Sequence, residues 1–269
     1  MSQPATAAQP LAVAITTVAR PGEAECERAR QLAAETGYPY VSRDRRPLAK
    51  IAMAAQCDGL LVVERGDLAL WIDGESLRHH PNMAKLRILA IEQGRGDVLV
   101  DALQLKPGDR VLDCTCGLGA DAIVTACAVG PGGRVRALEA APLLALLVSR
   151  GMTASAVAEP PALEAAMRRV EVARADYGNF LRGEADDAWD VVYFDPMFAT
   201  TVAAARGLDI VRHLARAGGP TSADIDQARR VARRRVVMKD RLPGPELERL
   251  GFTAIQHGRR VCYGALDAL

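Results

Sequence analysis

Short apolar runs of strand length alternate with helically spaced stretches along most of this chain. Residues 11–18, LAVAITTV, read as a buried strand. Pro21-Gly22 and a helical stretch from Glu23 to Glu35 follow, and Thr36-Gly37 closes that helix with a glycine cap. Tyr38 to Val41 is short and extended, and Leu48 to Ala55 is helical in pattern. DGLLVVERG and DLALWIDG are β-rich, and each ends in a turn dipeptide, which predicts a hairpin. These elements make a compact α/β unit over residues 1–78.

The pattern then changes. Met83, Leu86, Ile88, Leu89 and Ile91 predict a helix starting just after Pro81, and Val98 to Leu105 a further helical turn or two before Pro107-Gly108. Residues 79–109 are thus expected to bridge the two units. From residue 110 to 269 strands and helices alternate. The strand candidates are 110–114, 134–138, 170–174, 189–195, 234–239, 252–257 and 260–266. Helical stretches separate the first five, and Gly258-Arg259 joins the last two as an antiparallel hairpin. That alternation predicts a doubly wound, Rossmann-like α/β sheet of seven strands, with the smaller α/β unit preceding it.

Composition narrows the class. The 269 residues are 49% hydrophobic and 25% charged, which excludes disorder, collagen and coiled coil as the whole answer. No apolar run reaches the ~18–20 residues of a membrane span, and MSQPATAAQP lacks a signal peptide's basic start and apolar core. The expectation is a cytoplasmic protein without a membrane partner. Cys26, Cys57, Cys114, Cys116, Cys127 and Cys262 have unrelated spacings, and Cys114-x-Cys116 is not the paired spacing of a zinc site, so reduced thiols and no metal are expected. Net charge is +1, but residues 200–269 hold 13 Lys and Arg against 7 Asp and Glu, leaving the rest at −5.

The strand 110–114 runs directly into Thr115-Cys116-Gly117-Leu118-Gly119-Ala120-Asp121-Ala122 and a helix. Glycines there let backbone approach a ligand at the carboxyl edge of the sheet. Gly117-x-Gly119-x-x-Ala122, with Glu139 ending the second strand to hold ribose hydroxyls, fits a nicotinamide dinucleotide as well as S-adenosylmethionine (SAM). Three features favour SAM. Asp113 lies four residues before Gly117, where a carboxylate can face a cationic amino group but would repel a pyrophosphate. Asp176 follows the third strand, where it can accept from an adenine amino group. The fourth strand ends in Asp195-Pro196-Met197-Phe198. Taken singly these acids also read as a helix cap, a solvated loop acid and a plain turn.

The tetrapeptide resembles the (Asp/Asn)-Pro-Pro-(Tyr/Phe) signature of enzymes that methylate exocyclic amines of bases. Such an amine is conjugated with its ring and poorly nucleophilic, so it needs acceptors for its protons. The Asp195 carboxylate and Pro196 carbonyl supply two, and Phe198 can stack on an unpaired base. Proline stiffens the turn. Met197 and Phe198 also read as core residues at a strand end.

DCTCGLGADA, then VVYFDPMF, then RRVVMKDR together are similar to the ribosomal small-subunit methyltransferase J family, SAM-dependent guanine-N2 methyltransferases of 16S ribosomal RNA. The matching positions are Asp113, Thr115, Gly117, Leu118, Gly119, Asp121 and Ala122, then Asp195 to Phe198, then Val236, Val237 and Lys239. Met197 inside the tetrapeptide is that family's own pattern. The resemblance covers residues 80–265 and departs at Ala120, Ala199 and Asp240-Arg241, where the family has Arg, Pro and Arg-Pro. It implies the class I SAM-methyltransferase fold, SAM as cofactor, and 16S ribosomal RNA or the small ribosomal subunit as partner. It places Asp113, Thr115, Gly117, Gly119 and Asp121 at the cofactor, beside the strand-end acids Glu139 and Asp176, and Asp195, Pro196 and Phe198 at the reacting amine.

Arg229, Arg230, Arg233, Arg234, Arg235, Lys239 and Arg241 surround the fifth strand, and Lys85 and Arg87 stand near it in HHPNMAKLR. Met197, Lys239, Arg241, Lys85 and Arg87 are the expected substrate contacts, the four basic side chains with phosphates as their partners. The same arginines also read as a solvated helix face. His79-His80 has no adjacent acid or cysteine and reads as a loop element. Competing functions are methylation of DNA or of a protein amide, an NAD-dependent oxidoreductase, and a non-catalytic RNA-binding factor. No hydride-transfer constellation supports the oxidoreductase.

Overall fold

The computed structural model describes residues 11–153, 160–196, 218–257 and 260–269, and the chain divides into two compact units at Arg78/His79. The smaller unit contains β1 (Val13–Thr17), α1 (Glu23–Thr36), α2 (Leu48–Ala55), β2 (Gly59–Val63), β3 (Leu68–Ile72) and β4 (Glu75–Arg78). Its sheet runs β1-β2-β3-β4, with β1 parallel to β2 and the other neighbours antiparallel. Every residue of β1 and β2 is buried, including Thr16 and Thr17 at the end of β1, and Ile51 of α2 packs with Leu60 and Val62. Gly37 ends α1 in the left-handed region at φ 76°.

β4 was not expected from sequence. Its segment ESLR buries only Leu77, so it carries little apolar signal. What makes it a strand is the Asp73-Gly74 turn, with φ values of 49° and 89°, which folds it back on β3 in a tight hairpin.

The larger unit holds α3 (Asn82–Glu92), α4 (Val98–Leu103), β5 (Arg110–Asp113), α5 (Ala120–Val129), β6 (Arg134–Glu139), α6 (Pro142–Thr153), α7 (Pro161–Met167), β7 (Val170–Arg174), α8 (Tyr177–Gly183) and β8 (Trp189–Phe194). After residue 217 come α9 (Ser222–Val231), β9 (Ala232–Arg241), α10 (Pro245–Arg249), β10 (Thr253–His257) and β11 (Val261–Asp267). Strand order is β10-β11-β9-β8-β5-β6-β7, with β9 through β7 mutually parallel and β10 and β11 antiparallel. The terminal hairpin inserts β11 between β9 and β10.

Order reverses on either side of β5, so its carboxyl end opens a crevice at the switch point. Trp189, Tyr193, Phe194 and Leu112 are fully buried along this central seam. Residues 79–109, expected as a bridge, belong to the larger unit, where α3 packs on α5 and α4 on α5 and β9.

Candidate functional site

The carboxyl ends of β5, β6 and β8 carry the residues that converge. Past Asp113 the chain leaves the sheet in a loop pinned on both flanks: the Cys114 amide donates to Tyr193 O at 2.9 Å and the Cys116 amide to Leu138 O at 2.8 Å. Gly119 begins α5 at φ 78°, and a Cβ there would come within 2.4 Å of Met152 Cε. The left-handed backbone calls for glycine at that point, and an added methyl would also have to displace the end of Met152. Glu139, at the tip of β6, accepts from Gly117 N at 3.1 Å and from Ala141 N at 2.9 Å, tying the loop to the neighbouring strand.

These tips enclose a cleft of about 480 Å³, counted out to its open mouth, lined by Cys114, Thr115, Gly117, Leu138, Glu139, Ala140, Tyr177, Asp195, Pro196 and Gly218. Thr115, Gly117, Glu139, Asp195 and Pro196 were all expected in the site. Thr115 Oγ1 accepts from the Asp195 amide at 2.6 Å, so the first and fourth strand tips are joined at the cleft itself.

Asp113 lies beneath this floor, 2% exposed, with Oδ1 accepting from Thr115 N at 2.9 Å. Burial pushes its carboxyl up to about 8, and Asp121, Asp195 and Glu139 push it the same way. Burial also raises the Glu139 carboxyl. Crowded carboxylates at the base of a cleft favour a cationic ligand, because its charge offsets their mutual repulsion.

Asp195 Oδ2 accepts from Lys239 Nζ at 2.7 Å, and Lys239 also lies 3.5 Å from Asp121 Oδ2. Asp121 accepts from Tyr193 Oη at 2.9 Å and is paired with Arg87, whose other contacts are bidentate to Asp97 at 2.7 and 2.8 Å. Asp97 caps α4 by accepting from Leu99 and Val100 amides. Burial raises the Asp195 carboxyl, whereas Lys239 and Arg87 hold Asp121 below the usual carboxylate range despite burial.

Several expectations are revised here. Asp121 is absent from the cleft lining and is satisfied by Arg87, Lys239 and Tyr193. Arg87, expected at phosphates, is only 24% exposed and committed to two carboxylates, because α3 packs on α5. The arginine cluster also divides. Arg229 to Arg235 gather at the amino end of β9, away from the cleft, and bind within the protein. Arg234 is bidentate to Asp109 at 2.8 and 2.6 Å, Arg233 donates to Asp187 O at 2.7 Å, and Arg230 to Leu181 O at 2.9 Å. Lys239 and Arg241 alone of that cluster sit at the carboxyl end of β9, Arg241 exposed.

Lys85 is half-buried on α3. Asp176 caps α8, accepting from Asn179 N at 3.0 Å, and its neighbour Tyr177 lines the cleft. Met197 and Phe198 lie outside the described residues.

Sequence reasoning missed Tyr177, Tyr193 and Asp97, and read His79 only as a loop element. Tyr177 packs edge-on to Phe194, with ring centroids 5.5 Å apart, and its place directly after Asp176 was the available signal. His79 is buried near the Leu118 backbone of the glycine loop; burial and His80 push it down to about 4, and Leu118 opposes them. A Cβ at Gly151 would fall 2.3 Å from that ring. Nothing local in the sequence pairs position 79 with position 151.

A family model described as "Putative SAM-dependent methyltransferase" matches residues 51–263. The chain belongs to that family. This methyltransferase is 37% identical over 245 residues to the uncharacterized protein YpiP of Bacillus subtilis (strain 168), a match covering 90% of this chain and 94% of that one. It is also 33% identical over 156 residues to ribosomal RNA small subunit methyltransferase J of Cellvibrio japonicus, covering 53% of this chain and 56% of that one. With the same-named protein of Stutzerimonas stutzeri it shares 39% over 108 residues, covering 39% and 40% of the two chains. The matched segment thus spans about half the length of these methyltransferase J relatives, or less.

A crystal structure of a SAM-dependent methyltransferase from Neisseria gonorrhoeae has the same fold, with a TM-score of 0.61 at 20% identity over 94% of this chain and 95% of that one. The enzyme's cofactor is therefore SAM, and a cleft floored by buried carboxylates suits its cationic amino and sulfonium groups. Among the described residues, no helix is long and apolar enough to cross a membrane.

Proposed function

We propose that this enzyme methylates an exocyclic amine of a nucleic-acid base, namely guanine N2 of small-subunit ribosomal RNA. The observation that carries this reading is Asp195 at the wall of the cleft: its side chain is 32% exposed, one oxygen is held by Lys239, and Pro196 lies beside it. Bound SAM supplies an electrophilic methyl group. The protein's part is orientation. Asp195 and the Pro196 carbonyl accept the two amine hydrogens, which points the nitrogen lone pair in one direction. Phe198 is the residue assigned to stack on the base, and Met197 is a further substrate contact.

Glu139 takes the ribose hydroxyls, Asp113 the amino group through the loop it supports, and Thr115, Gly117 and Gly119 give the backbone approach. Asp176 receives the adenine amino group while capping α8. Lys85 and Arg241 are the phosphate contacts left after Arg87 and the amino-end arginines are assigned to partners on the protein itself. The curated relatives named ribosomal RNA small subunit methyltransferase J, 33% and 39% identical over their matched segments, support the RNA assignment.

The test supplies labelled SAM to total RNA, to salt-washed small ribosomal subunits from cells lacking the gene, to genomic DNA and to cell protein, followed by digestion. Label in N2-methylguanosine from the ribosomal samples is the expected result. Label only in DNA or protein would keep the amine chemistry and overturn the RNA substrate. Asp195→Ala is expected to lower transfer by about 10²–10⁴-fold while SAM affinity stays nearly constant. Loss of both would refute the division of roles between Asp195 and the loop.

A further inference from the structure

We infer that Lys239 is a positioning residue: clamped between Asp121 and Asp195, it holds one oxygen of Asp195 and leaves the other to the substrate amine. The inference rests on the reading of Asp195 given above and concerns how that carboxylate is set. Lys239 comes from β9, Asp195 from the tip of β8 and Asp121 from the first turn of α5. Arg87 of α3 fixes Asp121 from behind, and Asp97, the cap of α4, fixes Arg87. Charges therefore alternate along Asp97–Arg87–Asp121–Lys239–Asp195, and each link comes from a different element.

The geometry leaves Lys239 little freedom. Its ammonium has carboxylate oxygens at 2.7 and 3.5 Å on two sides, and the side chain is 22% exposed. Asp195 Oδ1 has no protein partner among the described residues, whereas Oδ2 and the backbone amide are both engaged. A carboxylate gripped through one oxygen presents the other in a fixed direction, which is what a directional amine acceptor requires.

The groups facing Asp195 are Lys239 on β9, Asp121 on α5, Asp113 on β5, Arg87 on α3, Tyr193 on β8 and Tyr263 on β11. Burial raises the carboxyl, Lys239 and Arg87 oppose that, and Asp121 reinforces it. Lys239 and Asp121 thus act on Asp195 with opposite sign.

The experiment is a titration of the intact, ligand-free protein carrying [13Cγ]aspartate, followed by NMR, with the Asp195 signal assigned by its loss in Asp195→Asn. Lys239→Met is expected to move the Asp195 midpoint up by about 1–3 units, and Asp121→Asn to move it down. Lys239→Arg should restore a midpoint close to wild type and serves as the folded control if Lys239→Met does not fold. SAM affinity in folded variants should stay within about threefold of wild type. In transfer assays the acidic limb of kcat should move in the same two directions, with KM nearly constant. Midpoints that do not move, or that move the same way in both variants, would overturn the inference. Absence of transfer to any acceptor would refute the proposed function while leaving the titration result standing.

Discussion

The two ends of the central sheet use the same residue types to opposite effect. At the amino edge, Arg234 pairs with Asp109, Arg233 lies 3.7 Å from Asp190, and Arg134 is 2.8 Å from Glu171. Most of these arginine side chains keep partial contact with water. At the carboxyl edge, Asp113, Asp121, Glu139 and Asp195 gather near Lys239 and Arg87, with Asp113 and Glu139 buried and Asp195 partly exposed at the cleft. Charge is matched within the protein at the first edge. At the second it is in negative excess, and a cationic cofactor completes it. A cluster of like charges in sequence therefore says little about binding until its partners are known.

The comparison breaks most visibly at Asp113. Replacing it with Asn removes a carboxylate from the cleft floor, and SAM affinity should fall about 10–100-fold by isothermal titration. The same residue predicts a pH dependence. Its folded-state value, about 8, lies above the ordinary 3.8, so the folded protein binds a proton that the unfolded chain releases. That contribution is fully present below about 4 and is lost as pH rises toward 8. Ligand-free protein should accordingly lose stability across that window in urea melts, and Asp113→Asn should flatten the slope. An unchanged slope would mean that the carboxyl is ionised before the cofactor arrives.

Next in size is Gly151→Ala. The added methyl meets the His79 ring, and overpacking of this kind costs about 1–3 kcal/mol. Because His79 lies next to the Leu118 backbone of the glycine loop, SAM affinity should fall together with the urea midpoint. A loss of stability with affinity intact would detach His79 from the glycine loop.

At the amino edge the expected effects are smaller. Arg234→Ala should cost about 1 kcal/mol of stability and leave methyl transfer unchanged, since the pair is partly solvated and remote from the cleft. Smallest of all is the effect of Arg229→Gln with Arg233→Gln on RNA affinity. The salt dependence of binding should not change, whereas Arg241→Gln should reduce its slope by about one phosphate contact. A reduced slope in the double variant would return the amino-edge arginines to the RNA interface.

How far the site could be read in sequence depended on how local its signals were. Thr115, Gly117, Glu139, Asp195 and Pro196 each stand at the end of a strand whose apolar run is visible, and all five line the cleft. Strand tips in a parallel sheet share one edge, so locating the strands located the residues. Arg87 and Asp121 misled because a basic residue near a motif and an acid inside a glycine loop look like ligand contacts. Their contact with each other, 34 positions apart, follows from the packing of α3 on α5. β4 escaped for a related reason, since its pairing is made by backbone and a turn.

The sequence by itself determined the order of elements in the large unit, the glycine-rich turn after β5 and the acids at successive strand tips. These are encoded in short windows, where hydrophobic period and turn chemistry act over a few residues. Only the tertiary structure decided which charges meet. It gave the arginines from Arg229 to Arg235 partners within the protein at one edge, set Lys239 between two carboxylates at the other, and buried Asp113 deeply enough to raise its pKa. Such outcomes depend on distance and desolvation among residues far apart in the chain, and those quantities come into being only when the sheet closes its core.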